Sequence, residues 1–173
     1  QKHCMQVAHQ AGKILKKLGY SEHEIELAQI AGYMHDIGNV INRSHHAEYG
    51  ALLANDLLKA TDMTLEDRVT VISAIGNHDE STGSPEDVIS AALIIADKTD
   101  VRRSRVRQKE PSAFDIHDRV NYAVTDSKLK IDEKKPEIAL NLQIDEKICS
   151  MYDYFEIFLG RMMLCRKSAE ILG

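Results

Sequence analysis

The sequence predicts a mainly α-helical fold with a small β-hairpin near its C-terminal end and a long final helix. Three observations carry this expectation. Apolar residues recur at three- and four-residue spacing through most of the first hundred positions. Each such stretch is bracketed by residues that start or stop helices. A period of two appears only late, between Lys128 and Ile144, where it predicts paired strands.

From His3 to Leu18 the residues Met5, Val7, Ala8, Ala11, Ile14, Leu15 and Leu18 form a helical stripe that Gly19 closes as a C′ glycine. Ser21 and Glu24 form a capping box, and Ile25, Leu27, Ala28, Ile30, Ala31 and Met34 carry a second helix into His35-Asp36. Gly38 is expected to end it. After a loop from Asn39 to Arg43, Ser44 is expected to cap a third helix with His46 in its first turn and small residues Gly50 and Ala51 on its surface. Thr64, with Glu66 and Asp67 behind it, starts a fourth helix that is expected to run to His78. Pro85, Glu86 and Asp87 are expected to start a fifth, whose run Val88-Ile89 to Ala96 is apolar nearly all round and so predicts the central, buried helix. Asp97 stands at the end of that run, where a lone carboxylate is costly without a partner or a metal.

Beyond Asp97 the chain turns basic at Arg102, Arg103, Arg105 and Arg107 and breaks at Pro111 before a helix expected from Ala113 to about Val124. Lys128 to Asp132 and Ile138 to Ile144 read as a hairpin, and a last helix is expected from Asp145 to about Leu172. In that helix Met151, Phe155, Phe158 and Met162 read as core rather than as a cofactor site.

The length of 173 residues suits one domain of ordinary size. A net charge of −5 argues against nucleic acid or an anionic membrane surface as the main partner. No apolar run approaches the roughly 18 residues needed to span a bilayer. Cys4, Cys149 and Cys165 are widely spaced and odd in number, which suits reduced thiols and a cytoplasmic location.

The chemistry gathers at the helix ends. Neighbours on a helix point about a quarter turn apart, so His35 and Asp36 can serve one ion or two adjacent ions only where their helix stops. An imidazole beside a carboxylate is a mixed nitrogen and oxygen ligand pair suited to iron, manganese, zinc or magnesium. The ordered series His3, His35-Asp36, His46, His78, Asp97 places every member near a helix end or first turn. His9, His23, His45 and His117 read as surface or packing histidines.

On these residues the sequence resembles the HD superfamily of metal-dependent phosphohydrolases over about residues 2 to 107. The matching segments are His3-Cys-Met-Gln-Val-Ala, Met34-His35-Asp36-Ile37-Gly38, His46-Ala-Glu-Tyr-Gly50-Ala51, Ala74-Ile-Gly-Asn-His78 and Ile94-Ile-Ala-Asp97-Lys98. The inner histidines His46 and His78 are similar to those of two-metal members. The branch most similar hydrolyses dinucleoside tetraphosphates; the Gly-Tyr-Pro element of the cyclic-dinucleotide branch is absent. Many relatives have Lys directly after His-Asp-x-Gly, whereas this chain has Asn39, which makes Arg43 the substitute candidate for that phosphate contact.

The resemblance implies an HD-type helical bundle over residues 1–107 and an α/β extension, 108–173, packed on the same domain. It implies two divalent ions: His3, His35 and Asp97 on one, His46 and His78 on the other, and Asp36 bridging them. Two such ions, two carboxylates and a bridging hydroxide leave a site of about +1, which attracts phosphate and supports in-line attack by a metal-activated hydroxide. Lys98 and Asp100 are candidates for phosphate contact and leaving-group protonation. Arg102 and Arg103 are candidates for a distal phosphate or base. The expected activity is hydrolysis of a phosphoester or phosphoanhydride, with a nucleotide as the expected phosphorylated small molecule. The alternative is a metal-containing module that binds a nucleotide without turnover. The C-terminal elements are expected to cover the site, set substrate choice or build a homodimer.

Overall fold

The computed structural model describes residues 2–101, 103, 116–132, 135 and 137–173. The candidates Arg102, Arg105 and Arg107, the expected helix start at Ala113 and the side chain of His117 lie outside the described residues. The chain is mainly helical, in the order α1 (Lys2–Lys17), α2 (Glu22–Met34), a short 3-10 turn (Ile37–Val40), α3 (His46–Leu58), α4 (Leu65–Gly76), α5 (Val88–Lys98), α6 (Ile116–Ala123), β1 (Val124–Asp132), β2 (Glu137–Ile144) and α7 (Met151–Leu172). It divides into two compact units, one of Gln1–Asp97 with Leu164–Gly173 and the other of Lys98–Met163.

In the first unit the local signals behave as the sequence predicts. Gly19 adopts φ +80°, and the N–H groups of Tyr20 and Gly19 donate to the carbonyls of Leu15 and Lys16, a Schellman closure of α1. The Ser21–Glu24 capping box forms in both directions, and the Thr64 hydroxyl accepts from the Asp67 N–H at 3.1 Å. The core joins Val7, Ala11, Ile14 and Leu15 of α1 to Ala28 and Ala31 of α2 and Val71, Ala74 and Ile75 of α4. Every residue of α5 from Ile89 to Asp97 is buried, so the apolar run is central as expected. Each Leu or Ile so buried contributes roughly 1.5–3 kcal/mol.

Four boundaries in this unit differ from expectation, each for a local reason. Helix α2 stops at Met34, ahead of Gly38, whose φ is not left-handed. What Gly38 provides is room: a Cβ there would collide with the His46 carbonyl and approach the Gly50 N–H to 2.5 Å. Ser44 does not cap α3: His45 takes the N-cap place in the left-handed region, φ 60°, while the Ser44 N–H donates to the Asn42 side chain at 3.0 Å in the turn before it. Helix α4 ends at Gly76, with the Asn77 amide donating to the Ser73 carbonyl at 3.0 Å. Helix α5 begins after Asp87 rather than at Pro85. There the Asp87 carboxylate accepts from the Ser90 N–H at 2.7 Å while the Ser90 hydroxyl accepts from the Asp87 N–H at 2.9 Å.

The second unit has its own core of Val101, Val120, Ala123, Val124, Cys149, Tyr154 and Phe158, with the last two rings stacked 4.6 Å apart. Strands β1 and β2 pair antiparallel from Val124↔Ile144 to Asp132↔Glu137, with an irregularity between Val124 and Asp126. That pairing claims Val124 for the sheet, so α6 stops at Ala123 and β1 starts earlier than the alternating pattern suggested. The final helix starts at Met151 rather than Asp145. The Asp145 carbonyl accepts from Ile148 N–H in a turn, and the Ser150 hydroxyl caps the helix by accepting from the Asp153 N–H at 3.1 Å.

Candidate metal centre

All six residues of the expected ligand series lie in the first unit, and the fold gathers them. His3 comes from the first turn of α1, His35 and Asp36 from the end of α2, and His46 from the first residue of α3. His78 lies just past α4, and Asp97 in the last turn of α5. His3 Nε2 lies 3.0 Å from Asp97 Oδ1 across 94 positions of sequence, and His35 Nε2 lies 3.6 Å from the same oxygen. Ligand atoms of His3, His35 and Asp97 all fall within 4.8 Å of one another, as do those of His35, Asp36 and His78.

Three of the imidazoles share one local device. The Nδ1 atoms of His35, His46 and His78 meet the carbonyls of Gly32, Arg43 and Ile75, each three residues upstream, at 2.8, 3.1 and 2.6 Å. A carbonyl only accepts, so each Nδ1 carries the proton and, in the neutral ring, each Nε2 presents a lone pair. His35 Nε2 is fully buried with no hydrogen-bond partner among the described residues. His46 Nε2 faces His78 Nε2 at 3.2 Å, a contact between two acceptors unless a cation or a proton stands between them. A buried lone pair such as that of His35 Nε2 is rarely left unanswered, and a divalent cation would answer it. The donor set of nitrogen and carboxylate oxygen therefore fits such an ion.

Asp36 divides its carboxylate between two groups of histidines. Oδ2 lies 3.6 Å from His35 Nε2 and 3.9 Å from His3 Nε2, while Oδ1 lies 3.8 Å from His46 Nε2. Burial pushes this carboxyl up, but the imidazoles of His35, His3 and His78 outweigh burial and the repulsion of Asp97, so it sits below its ordinary value. Asn39, which stands where many relatives have lysine, donates its amide to Asp36 Oδ1 at 2.8 Å and to the Asp36 carbonyl at 3.1 Å. It orients the carboxylate, a role the sequence reading missed; its signal was the i, i+3 spacing from Asp36 across a tight turn. Cys4, next to His3, is pushed up by burial and then by Asp36, so its thiol stays protonated.

The other expected site residues are placed differently. Arg43 contributes its carbonyl to His46, and its side chain lines a hollow of about 240 Å³ with Ser44, His45, His46, Asp79 and Ser81. Lys98 and Asp100 are buried and belong to the second unit. Arg103 also belongs to that unit, where its guanidinium lies 4.5 Å over the Tyr122 ring and its Nε donates to the Tyr122 carbonyl at 2.6 Å. His9, His23 and His45 are exposed, as expected of surface histidines.

The family profile described as the HD domain matches residues 1–104. Ribonuclease Y of Aster yellows witches'-broom phytoplasma (strain AYWB) is 33% identical over 111 residues, covering 62% of this chain and 19% of its own length. Ribonuclease Y of Onion yellows phytoplasma (strain OY-M) is 32% identical over 111 residues, with the same coverage of 62% and 19%. An uncharacterized protein of Methanocaldococcus jannaschii is 30% identical over 161 residues, covering 78% of this chain and 60% of that protein. The chain thus spans about a fifth of the length of these two ribonucleases. No solved structure matches the chain.

Proposed function

The chain belongs to the HD domain family, and on that footing we propose that it is a phosphohydrolase with a dinuclear metal centre, acting on a phosphoester or phosphoanhydride of a nucleotide. The observation that carries the reading is the set of buried Nε2 lone pairs on His35, His46 and His78, each aimed by an Nδ1–H bond to the carbonyl three residues back. In this proposal His3, His35 and Asp97 hold one divalent ion, His46 and His78 hold a second, and Asp36 offers one oxygen to each side. Bound ions supply Lewis acidity, an activated water and charge stabilisation for in-line displacement.

The chain's own residues supply the rest. Asn39 keeps Asp36 from rotating, which holds its two oxygens toward different histidines. The three backbone carbonyls fix ring tautomer and orientation before substrate arrives, so little reorganisation is left for the reaction. Arg43 at the hollow beside His46 is the proposed phosphate contact. Lys98 and Asp100 are the proposed groups for phosphate contact and leaving-group protonation. Arg102 and Arg103 with residues 108–173 are proposed to set substrate choice. Dinucleoside tetraphosphates are the substrates we propose first, on the likeness of the His46-to-Ala51 segment and His78 to that branch.

A second reading replaces the nucleotide by an RNA phosphodiester. The name of the two phytoplasma relatives, ribonuclease Y, favours it, and the net charge of −5 weighs against it. The test is protein reconstituted with manganese or ferrous iron, assayed against an aryl phosphate, a nucleotide panel including a dinucleoside tetraphosphate, and a short RNA. Chelator-sensitive release of product from a nucleotide supports the first reading, and cleavage of RNA alone the second. Nucleotide-induced thermal stabilisation with no product from any arm would make it a binding module instead.

A further inference from the structure

The histidine pattern leaves the second ion with three protein ligands, and an additional carboxylate stands beside them. Asp79 Oδ2 lies 3.7 Å from His46 Nε2, the atom that also faces His78 Nε2 at 3.2 Å and Asp36 Oδ1 at 3.8 Å. The geometry points to Asp79 as a further ligand of the ion held by His46 and His78, which gives that position as many oxygen as nitrogen donors and suits it better to a hard divalent cation. This inference rests on the dinuclear reading above and adds a residue and a metal class to it.

The loop after α4 is built to aim that carboxylate. Asp79 Oδ1 accepts from the Ser81 N–H at 2.9 Å and from the Ser81 hydroxyl at 2.5 Å, which leaves Oδ2 as the oxygen turned toward His46. The Gly83 N–H donates to the Asp79 carbonyl at 2.7 Å, closing the turn. Only glycine fits there: a Cβ would collide with the Asn77 carbonyl and come within 2.5 Å of the Asp79 carbonyl. The adjoining residue His78 is held from behind by the Ile75 carbonyl, so two consecutive side chains are fixed by separate bonds while one faces the other's partner.

The chemical consequence follows from the donor count. With Asp79, the second position has two imidazoles and two carboxylates, whereas the first has His3, His35, Asp97 and Asp36. Each therefore carries an equal share of nitrogen and oxygen, and the second is no longer the softer of the pair. An oxygen-richer set favours manganese, magnesium or ferrous iron relative to zinc. It also lowers the positive charge at the edge of the hollow that Arg43 lines.

The test is metal binding by the full chain, by calorimetry with manganese and separately with zinc, alongside metal analysis after dialysis. The wild type should take up two manganese ions. Asp79→Asn should keep the first at unchanged affinity and weaken the second by about a hundredfold, with a smaller loss for zinc. Ser81→Ala, which removes one of the two bonds aiming the carboxylate, should weaken the second ion by about tenfold. Asp56→Asn, an exposed carboxylate paired with Lys59, should change neither. Two manganese ions bound by Asp79→Asn at wild-type affinity would overturn the role of Asp79 while leaving the dinuclear reading intact. One ion in the wild type would overturn both. Should Asp79→Asn melt before binding can be read, Ser81→Ala decides: wild-type affinity there rejects the proposal.

Discussion

Both compact units bury charged or polar groups, His35, His78 and Asp97 in the first and Lys98 and Asp100 in the second, but their apolar cores differ. In the first, His35 and His78 are 0% and 1% exposed, and Asp97 is 6% exposed, so its interior holds polar groups that water would otherwise solvate. In the second, the core is Val101, Val120, Val124, Cys149 and the stacked Tyr154 and Phe158, with no histidine among them. The first unit also buries many small residues, Ala28, Ala31, Ala47, Ala74, Ala91 and Ala92, which let helices approach closely. The second fills space with large rings. The comparison teaches that close helix approach in the first unit serves ligand convergence, and that stability and site are coupled there as they are not in the second.

The sharpest way to break that contrast is Asp36→Ala. Removing the carboxylate that faces both histidine groups should lower kcat by about four orders of magnitude, about 5.4 kcal/mol of transition-state stabilisation. The assay is steady-state hydrolysis with metal content measured in parallel. A near-normal rate would refute the bridging role.

Phe158→Ala should be nearly as large an effect of a different kind. Loss of a buried ring costs about 3–5 kcal/mol of stability. Hydrogen exchange should show the loss in residues 124–158, and metal stoichiometry should stay at its wild-type value. Metal loss in this variant would show that the second unit supports the centre directly.

Chelation is the converse. An ion present at about a hundred times its dissociation constant stabilises the folded state by about 2.7 kcal/mol. Removing it should raise exchange around α1, α2 and α4 and leave β1 and β2 unchanged. Equal loosening of both would erase the distinction between the units.

The smallest effect concerns pH. Burial raises the Tyr154 phenol above its ordinary value, with the nearby Arg161 opposing, and the hydroxyl has no hydrogen-bond partner among the described residues. An acid whose folded value lies above its unfolded one lends stability that is whole below the unfolded value, near pH 10, and is lost as pH rises toward the folded value. Tyr154→Phe should therefore flatten the alkaline fall in the melting temperature. At neutral pH it should leave stability unchanged or raise it by about 1 kcal/mol. A variant that melts in alkali as the wild type does would assign that fall to another group.

Local chemistry was legible in the residues themselves. The Schellman glycine at Gly19, the Ser21–Glu24 box, the Thr64 cap and the unbroken apolar run of α5 depend on neighbours within about four positions, so spacing alone determines them. The ligand series was legible for a similar reason: histidines and carboxylates recur at helix ends, where a ligand can leave the helix surface. Their convergence was not, because His3 and Asp97 meet across 94 positions and only helix packing brings them together. Competition between short-range partners also decided what spacing could not. His45 in the left-handed region rather than Ser44 precedes α3, and Ser90 with Asp87 set the start of α5 past Pro85. Asn39 looked like a departure in one dimension, and nothing there set Asp79 apart. The turn after α2 aimed Asn39 at the Asp36 carboxylate, and tertiary structure brought Asp79 to His46, since a side chain's partner depends on where the backbone aims it.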